Sequence, residues 1–155
     1  RFINHNVIAS MQPYHLFDDG CWAESKIGKD RLKTTLAFMS FIDKGIKVCF
    51  GSDFPVATLN PILGIYTAVT RHTANGLNPN GLIPDEKITV EEAVKAYTIN
   101  AAYASFEENI KGSITPGKLA DFIVLSKNIF DIDPNEIKNV IVEKTILDGK
   151  EVYSI

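Results

Sequence analysis

Hydrophobic and polar positions follow two different periods along this chain, and each period indicates an element type. Two strand-like runs, Val7–Gln12 and Ile46–Phe50, flank a segment at Lys29–Lys44 whose apolar residues recur every three or four positions, as on a helix face. Gly45 follows where a helix C′ glycine belongs, and Asp18–Gly28 has the composition of a polar loop. Strand, helix and strand in succession predict a βαβ unit whose strands are parallel neighbours with a right-handed crossover.

Two further helices are predicted after this unit. Asn60–Thr73 has helical spacing, with Pro61 at its first position, where a missing N–H costs nothing. Thr89 and Glu92 have the spacing of a capping box, in which each side chain accepts the backbone N–H of the other. The helix opened by that box is rich in alanine and is expected to reach about Phe106.

The pattern becomes strand-like beyond Gly112. The dipeptide Asp148-Gly149 favours a tight hairpin turn between the last two strands. The predicted strands are Ala120–Leu125, Val140–Leu147 and Glu151–Tyr153. We therefore place a boundary near Gly112, with an α/β part over 1–111 and a small β part over 112–155.

Composition and charge limit the kinds of molecule that this chain is expected to bind. Hydrophobic residues make up 45% and charged residues 23%, which is typical of a globular domain rather than a disordered chain. The net charge of −3 and the lack of a basic cluster argue against nucleic acid or an anionic membrane as a partner. Cys21 and Cys49 form no C-x-x-C motif, so neither a disulfide framework nor a zinc ribbon is indicated. No N-x-S/T acceptor occurs, and we expect a cytoplasmic protein.

Asp53 is the first candidate for chemistry. It follows the apolar run Ile46–Phe50 after a glycine and a serine, and Pro55 then prevents further pairing. Barrels of parallel strands place catalytic groups at the carboxyl ends of those strands. The alternative is an aspartate that caps the next segment or closes an Asx-turn.

His15 follows the other predicted strand, so parallel pairing brings it to the same sheet edge as Asp53. It could be a metal ligand, a proton donor, a substrate contact or a satisfied polar residue. Asp18 and Asp19 follow His15 by three and four residues, a spacing that does not by itself identify a metal site on a loop. The G-x-x-x-x-G-K run Gly112–Lys118 leaves a predicted helix, contains a proline and lacks the following Ser/Thr, so it indicates a turn and not a phosphate loop.

Five segments resemble the YtcJ-like amidohydrolases, the amidohydrolase 3 family, and they cover nearly the whole chain in the family's order. They are V-I-A-S-M-Q-P-Y-H-L-F-D-D-G-C-W-A-E from Val7, G-S-D-F-P-V from Gly51, N-P-I-L-G-I-Y-T-A-V-T-R from Asn60, A-Y-T-I-N-A-A-Y-A-S-F-E-E from Ala96 and G-S-I-T-P-G-K-L-A-D-F-I-V-L from Gly112. The resemblance implies a metal-dependent hydrolase of non-peptide carbon–nitrogen bonds in amides or cyclic amides. It also implies a (β/α)₈ barrel with a small β-sandwich.

The resemblance also implies roles for individual residues. Asp53 matches the aspartate after the eighth barrel strand, which binds metal and shuttles the proton. His15 and Asp19 match an H-x-x-x-D after the seventh strand, where a substrate-facing role is expected. The other metal ligands of the family would precede Arg1. The chain is therefore expected to be the C-terminal piece of such an enzyme, with the last two barrel strands and part of the sandwich.

Several further expectations follow from that reading. The intact enzyme would use a divalent metal, with zinc expected, and a small amide-like substrate. The isolated chain is expected to be inactive, to bind zinc weakly, and to form homo-oligomers or edge-paired assemblies. The alternative is a non-catalytic assembly or binding unit derived from an amidohydrolase.

Overall fold

The predicted βαβ strands pair in parallel. In the computed structural model, which describes residues 1–155, strand β1 (Ala9–Met11) lies beside strand β2 (Val48–Phe50) with Ala9 opposite Val48. Both strands are shorter than the sequence predicted, but their pairing and direction are confirmed. No further strand pairs with β1 or β2, and both carboxyl ends emerge at the same end of the sheet.

Seven α-helices and five strands form the chain, together with short 3₁₀ turns at Ile3–His5, Pro84–Glu86 and Pro134–Asn139. The helices are α1 (Pro13–Asp19), α2 (Ala23–Ile27), α3 (Lys29–Leu32), α4 (Phe38–Asp43), α5 (Pro61–Thr70), α6 (Val90–Tyr97) and α7 (Ile99–Ala104). The remaining strands are β3 (Phe122–Leu125), β4 (Val142–Leu147) and β5 (Lys150–Ser154). No helix combines the length and the apolar composition needed to cross a bilayer.

The single helix predicted over Lys29–Lys44 is wrong, because the chain forms α3 and α4 with a turn between them. Leu36 in that turn has a φ of 49°, outside the right-handed helical region. The carbonyls of Thr35 and Leu36 accept hydrogen bonds from the guanidinium of Arg71, at 3.3 and 2.8 Å. Arg71, the buried residue at the C-terminal end of α5, therefore binds carbonyls that would accept backbone N–H groups in a continuous helix.

Two other boundaries differ from prediction. The segment Asp18–Gly28 is largely helical, because α1 continues to Asp19 and α2 follows, so the predicted polar loop is wrong. The helix predicted to reach about Phe106 is interrupted at Thr98, whose backbone (φ −119°, ψ −95°) is not helical. The capping box at its start is confirmed: Thr89 and Glu92 each accept the other's backbone N–H.

The main core lies between the two-stranded sheet and the helices α4, α5 and α6. Phe50 on β2 stacks edge-on against Phe38 of α4 and Tyr97 of α6, with ring centroids 5.1 and 5.4 Å apart. Ala93 and Ala96 are fully buried, so α6 approaches β2 closely. This packing of α4 and α6 against Phe50 positions the end of β2.

Residues beyond Gly112 form an antiparallel sheet in the order β3-β4-β5. The predicted hairpin is confirmed, since Asp148 and Gly149 both have positive φ, 50° and 72°. Ile137 from the preceding 3₁₀ turn is fully buried in the same cluster as Phe50. The C-terminal part therefore shares a core with the first part, and the boundary near Gly112 stays a prediction.

Candidate functional site

Helix α1 begins directly at the carboxyl end of β1 and carries His15 in its first turn. Gln12 has an extended backbone (φ −124°, ψ 98°), and Pro13 takes the first helical position. The chain therefore passes from strand to helix without a loop. His15 is held above the end of β1 by regular helical backbone.

Contacts at the C-terminal end of α1 fix the position of this helix. Ala74 donates its N–H to the Phe17 carbonyl at 2.8 Å, and the Asn75 amide donates to the Cys21 carbonyl at 3.4 Å. A Cβ at Gly20 would overlap the Leu16 carbonyl and the Thr73 methyl, so only glycine allows this close approach. Helix α1 is thus seated on the segment that follows α5.

Asp53 lies past the end of β2 in a left-handed backbone conformation, with a φ of 59°. Its carbonyl accepts the N–H of Val56 at 2.8 Å and of Ala57 at 3.4 Å, which closes a backbone turn. Its side chain is 52% exposed and has His15 as its ion-pair partner. The carboxylate takes no part in the turn, unlike the side chain of an Asx-turn.

The structure brings His15 and Asp53 together, as their positions after parallel strands predicted. The Nε2 atom of His15 lies 3.5 Å from the Oδ2 atom of Asp53. That atom of His15 is itself buried and has no hydrogen-bond partner. A separation of 3.5 Å is too long for a strong hydrogen bond, so this buried nitrogen is left without a partner within the chain.

Asp19 stands at the other end of α1, four residues after His15 and on the same helical face. Its side chain is exposed. It forms no ion pair with His15. The role of Asp19 as a substrate contact therefore stays a prediction.

The donor types at this edge suit a divalent metal such as zinc, which binds imidazole nitrogen and carboxylate oxygen. The carboxylate of Asp53 is exposed, and the Nε2 atom of His15 has no hydrogen-bond partner although it is buried. No group of three or more His, Cys, Asp or Glu side chains lies close enough together to hold a metal ion. These residues therefore fit part of a metal site, since catalytic zinc sites have three protein ligands.

The comparison with protein families decides the classification. Residues 1–153 match the model described as "Amidohydrolase family". The chain belongs to the amidohydrolase family. This confirms the family resemblance found in the sequence motifs.

Several curated relatives align with most of the chain. Putative amidohydrolase YtcJ of Bacillus subtilis is 37% identical over 95% of this chain and 28% of its own length. The N-substituted formamide deformylase of Arthrobacter pascens is 39% identical over 71% of the chain and 20% of its own length. The imidazolonepropionase of Kosmotoga olearia is 36% identical over 72% of the chain and 25% of its own length. The chain thus spans about a quarter of the length of these relatives.

Solved structures share the fold. A metal-dependent hydrolase from Pyrococcus horikoshii superposes with a TM-score of 0.73 over 84% of this chain and 26% of its own, at 24% identity. An amidohydrolase from Thermotoga maritima superposes with a TM-score of 0.58 over 80% of the chain and 26% of its own, at 25% identity. The mixed α/β arrangement of this chain is therefore found within the amidohydrolase fold.

Two features that hold the site in place, helix α1 and Asn100, were not predicted from the sequence. The predicted strand Val7–Gln12 is followed by Pro13, and a proline favours the first turn of a helix, which was the available signal for α1. No role was predicted for Asn100, whose amide donates to the Val48 carbonyl of β2 at 2.9 Å. An asparagine among alanines in a helical segment was the available signal, because asparagine is unfavourable in a helix interior.

Proposed function

We propose that this chain forms the last two strands and helices of a (β/α)₈ amidohydrolase barrel, over 1–111, and part of a small β-sandwich, over 112–155. The enzyme that contains it would hydrolyse non-peptide carbon–nitrogen bonds in small amides or cyclic amides. The observation that carries the proposal is the approach of His15 and Asp53 at the carboxyl edge of two parallel strands. The names of the relatives, a deformylase and an imidazolonepropionase among them, support the bond type.

Asp53 would hold a divalent metal, with zinc as the expected ion, together with ligands outside this chain. When bound, such an ion lowers the pKa of water and polarises a carbonyl oxygen. Asp53 would accept the proton of the attacking water as the new carbon–oxygen bond forms. It would then deliver that proton to the nitrogen as the carbon–nitrogen bond breaks. A carboxylate that is free of local hydrogen bonds, as here, can make both transfers.

His15 and Asp19 would face the substrate. His15 lies beside Asp53 and keeps an unpartnered nitrogen, so it can bind a polar group of a substrate placed at Asp53. Asp19, one helical turn away, would contact a more distant part of the same molecule. In this arrangement Asp53 performs the chemistry and His15 positions the reacting group.

The open edges of the sheets support an assembly role for the isolated chain. Strand β5 has exposed residues along its whole length, and strand β1 has only one neighbouring strand. Unpaired strand edges favour pairing with another chain. We therefore expect the isolated chain to self-associate.

The test uses an enzyme that contains this segment, depleted of metal by a chelator and then supplied with Zn²⁺. Hydrolysis of N-substituted formamides and of cyclic amides should disappear on depletion and return with the metal. Stable folding without turnover, for every substrate and every metal, would instead support the non-catalytic alternative. Light scattering of the isolated chain should show species larger than a monomer at high concentration, and a monomer throughout would contradict the assembly proposal.

A further inference from the structure

Strand β2 has only three residues and one neighbouring strand, yet Asp53 depends on its position. The ladder to β1 uses one side of its backbone: Ala9 donates to the Lys47 carbonyl at 2.9 Å, and Gly51 donates to the Met11 carbonyl at 3.2 Å. Backbone groups of successive strand residues point to opposite sides. The carbonyl of Val48 therefore points away from β1, toward the open edge.

Asn100 occupies that edge. Its side-chain amide donates to the Val48 carbonyl at 2.9 Å, although the two residues are distant in sequence. The contact is possible because the chain breaks at Thr98 and restarts as α7, which places Asn100 in the first turn of that helix. Val48 itself is buried, so its carbonyl has little access to water as a substitute partner.

A second contact joins the same face of α7 to the residue that precedes β2. The Lys47 ammonium lies 3.5 Å from the ring centroid of Tyr103, and Tyr103 is three residues after Asn100. Lys47, which directly precedes β2, and Val48, its first residue, thus both contact one face of α7. Two independent contacts resist sliding of β2 along its own axis.

We infer that Asn100 is a positioning residue: its hydrogen bond to Val48 sets the axial position of β2 and thereby the approach of Asp53 to His15. Asp53 is carried by the chain that leaves β2, whereas His15 is carried by α1 at the end of β1. A shift of β2 against β1 therefore changes their 3.5 Å separation directly. The inference rests on the proposed function only for the chemical role of Asp53, and the placement itself is independent of turnover.

The experiment measures amide hydrogen exchange and chemical shifts by NMR on the ¹⁵N-labelled 155-residue chain. Asn100→Ala removes the donor, and Asn100→Asp keeps the size of the side chain but also loses the N–H. Asn109→Ala is the matched control, because Asn109 is exposed and makes no side-chain hydrogen bond. No substrate or metal is present, so failure of the proposed function leaves this test unaffected.

Both Asn100 variants should speed exchange of the Gly51 amide by about tenfold relative to amides of α5, because the end of the β1–β2 ladder opens locally. The resonances of Asp53 and of the His15 ring should shift, whereas Asn109→Ala should leave them unchanged. Equal acceleration of every protected amide would show a contribution to global stability alone and would overturn the inference. Unchanged Gly51 protection would overturn it as well.

One measurement needs no variant and keeps the inference testable if a variant fails to fold. The side-chain amide protons of Asn100 should exchange more slowly than those of Asn109 in the unmodified chain, because they are held by the Val48 carbonyl. Equal exchange rates for the two side chains would mean that the hydrogen bond does not persist in solution, and the inference would fail.

Discussion

The Nε2 atom of His15 and the Oδ2 atom of Asp53 lie 3.5 Å apart, each carried just beyond the end of one of two parallel strands. The pair depends on a ladder of only three residue pairs, Ala9–Met11 against Val48–Phe50. Helix α1 follows β1 without a loop, and Asp53 is fixed by a backbone turn to Val56. Short and ordered connections of this kind keep two reactive side chains in register.

Asp53→Asn should abolish most of the activity of an enzyme that contains this segment. Asparagine keeps the size and one metal-facing oxygen but cannot accept the proton of the attacking water. We expect kcat to fall by on the order of 10³, since acid–base transfer is worth about 10²–10⁴. Steady-state kinetics with a metal assay in parallel would check this. An Asp53→Asn enzyme that binds metal and keeps more than about a tenth of kcat would show that Asp53 is only a turn residue.

His15→Ala should affect binding more than chemistry. In the proposed function its unpartnered Nε2 atom binds the substrate, so its loss should raise KM with a smaller change in kcat. The measurement is the separation of kcat and KM for one good substrate. His5→Ala serves as the control, because His5 lies in an exposed N-terminal turn. A fall in kcat as large as that of Asp53→Asn would move His15 from substrate binding to proton transfer.

The isolated chain should retain little zinc. It places only two metal-ligating side chains, His15 and Asp53, close together, and two protein ligands hold zinc poorly. After dialysis against a mild chelator we expect well below one equivalent of zinc by elemental analysis. If the unmodified chain kept one equivalent of zinc and the Asp53→Asn variant lost it, the prediction would be contradicted. Such a result would indicate a more complete metal site.

Gly64→Ala should destabilise the fold although alanine is the better helix former by about 1 kcal/mol. A Cβ at Gly64 would overlap the hydroxyl of Tyr97, whose ring packs against Phe50. Burial also raises the pKa of the Tyr97 phenol. We expect the free energy of unfolding to fall by about 1–3 kcal/mol, as for other overpacked sites. Urea denaturation followed by circular dichroism measures this.

The matched test of that contact is the double variant Gly64→Ala/Tyr97→Phe. Removal of the hydroxyl deletes the nearest atom, while the ring carbon behind it would still lie 2.9 Å from the new Cβ. We therefore expect partial recovery relative to Gly64→Ala. A double variant no more stable than Gly64→Ala would locate the strain elsewhere.

Acid should weaken the C-terminal hairpin through Glu151. The hydrogen bond from Lys144 across the strands lowers the pKa of Glu151 below its usual 4.5. A carboxyl with a lowered folded pKa stabilises the fold above its unfolded pKa and loses that contribution as pH falls through the folded pKa. Glu151→Gln should therefore reduce the fall in Tm between pH 7 and pH 3 slightly, by about 1–2 °C, since the pair is exposed. The same fall in Tm for Glu151→Gln and for the unmodified chain would contradict this prediction.

The sequence alone determined the features that depend on local physics. The parallel order of β1 and β2, the capping box at Thr89 and the hairpin at Asp148-Gly149 were all predicted, because hydrophobic period, caps and turn residues act over a few positions. The association of His15 with Asp53 followed from the same parallel topology. The family motifs then identified the class of protein.

Only the tertiary structure decided where regular elements break. The turn that splits Lys29–Lys44 exists because Arg71, buried and far along the chain, takes the carbonyls of Thr35 and Leu36. The interruption at Thr98 likewise involves a distant residue, because it allows the Asn100 amide to donate to the Val48 carbonyl. Helical periodicity continues through both breaks, since a sequence pattern records which side chains are apolar but not which distant donor satisfies each backbone carbonyl.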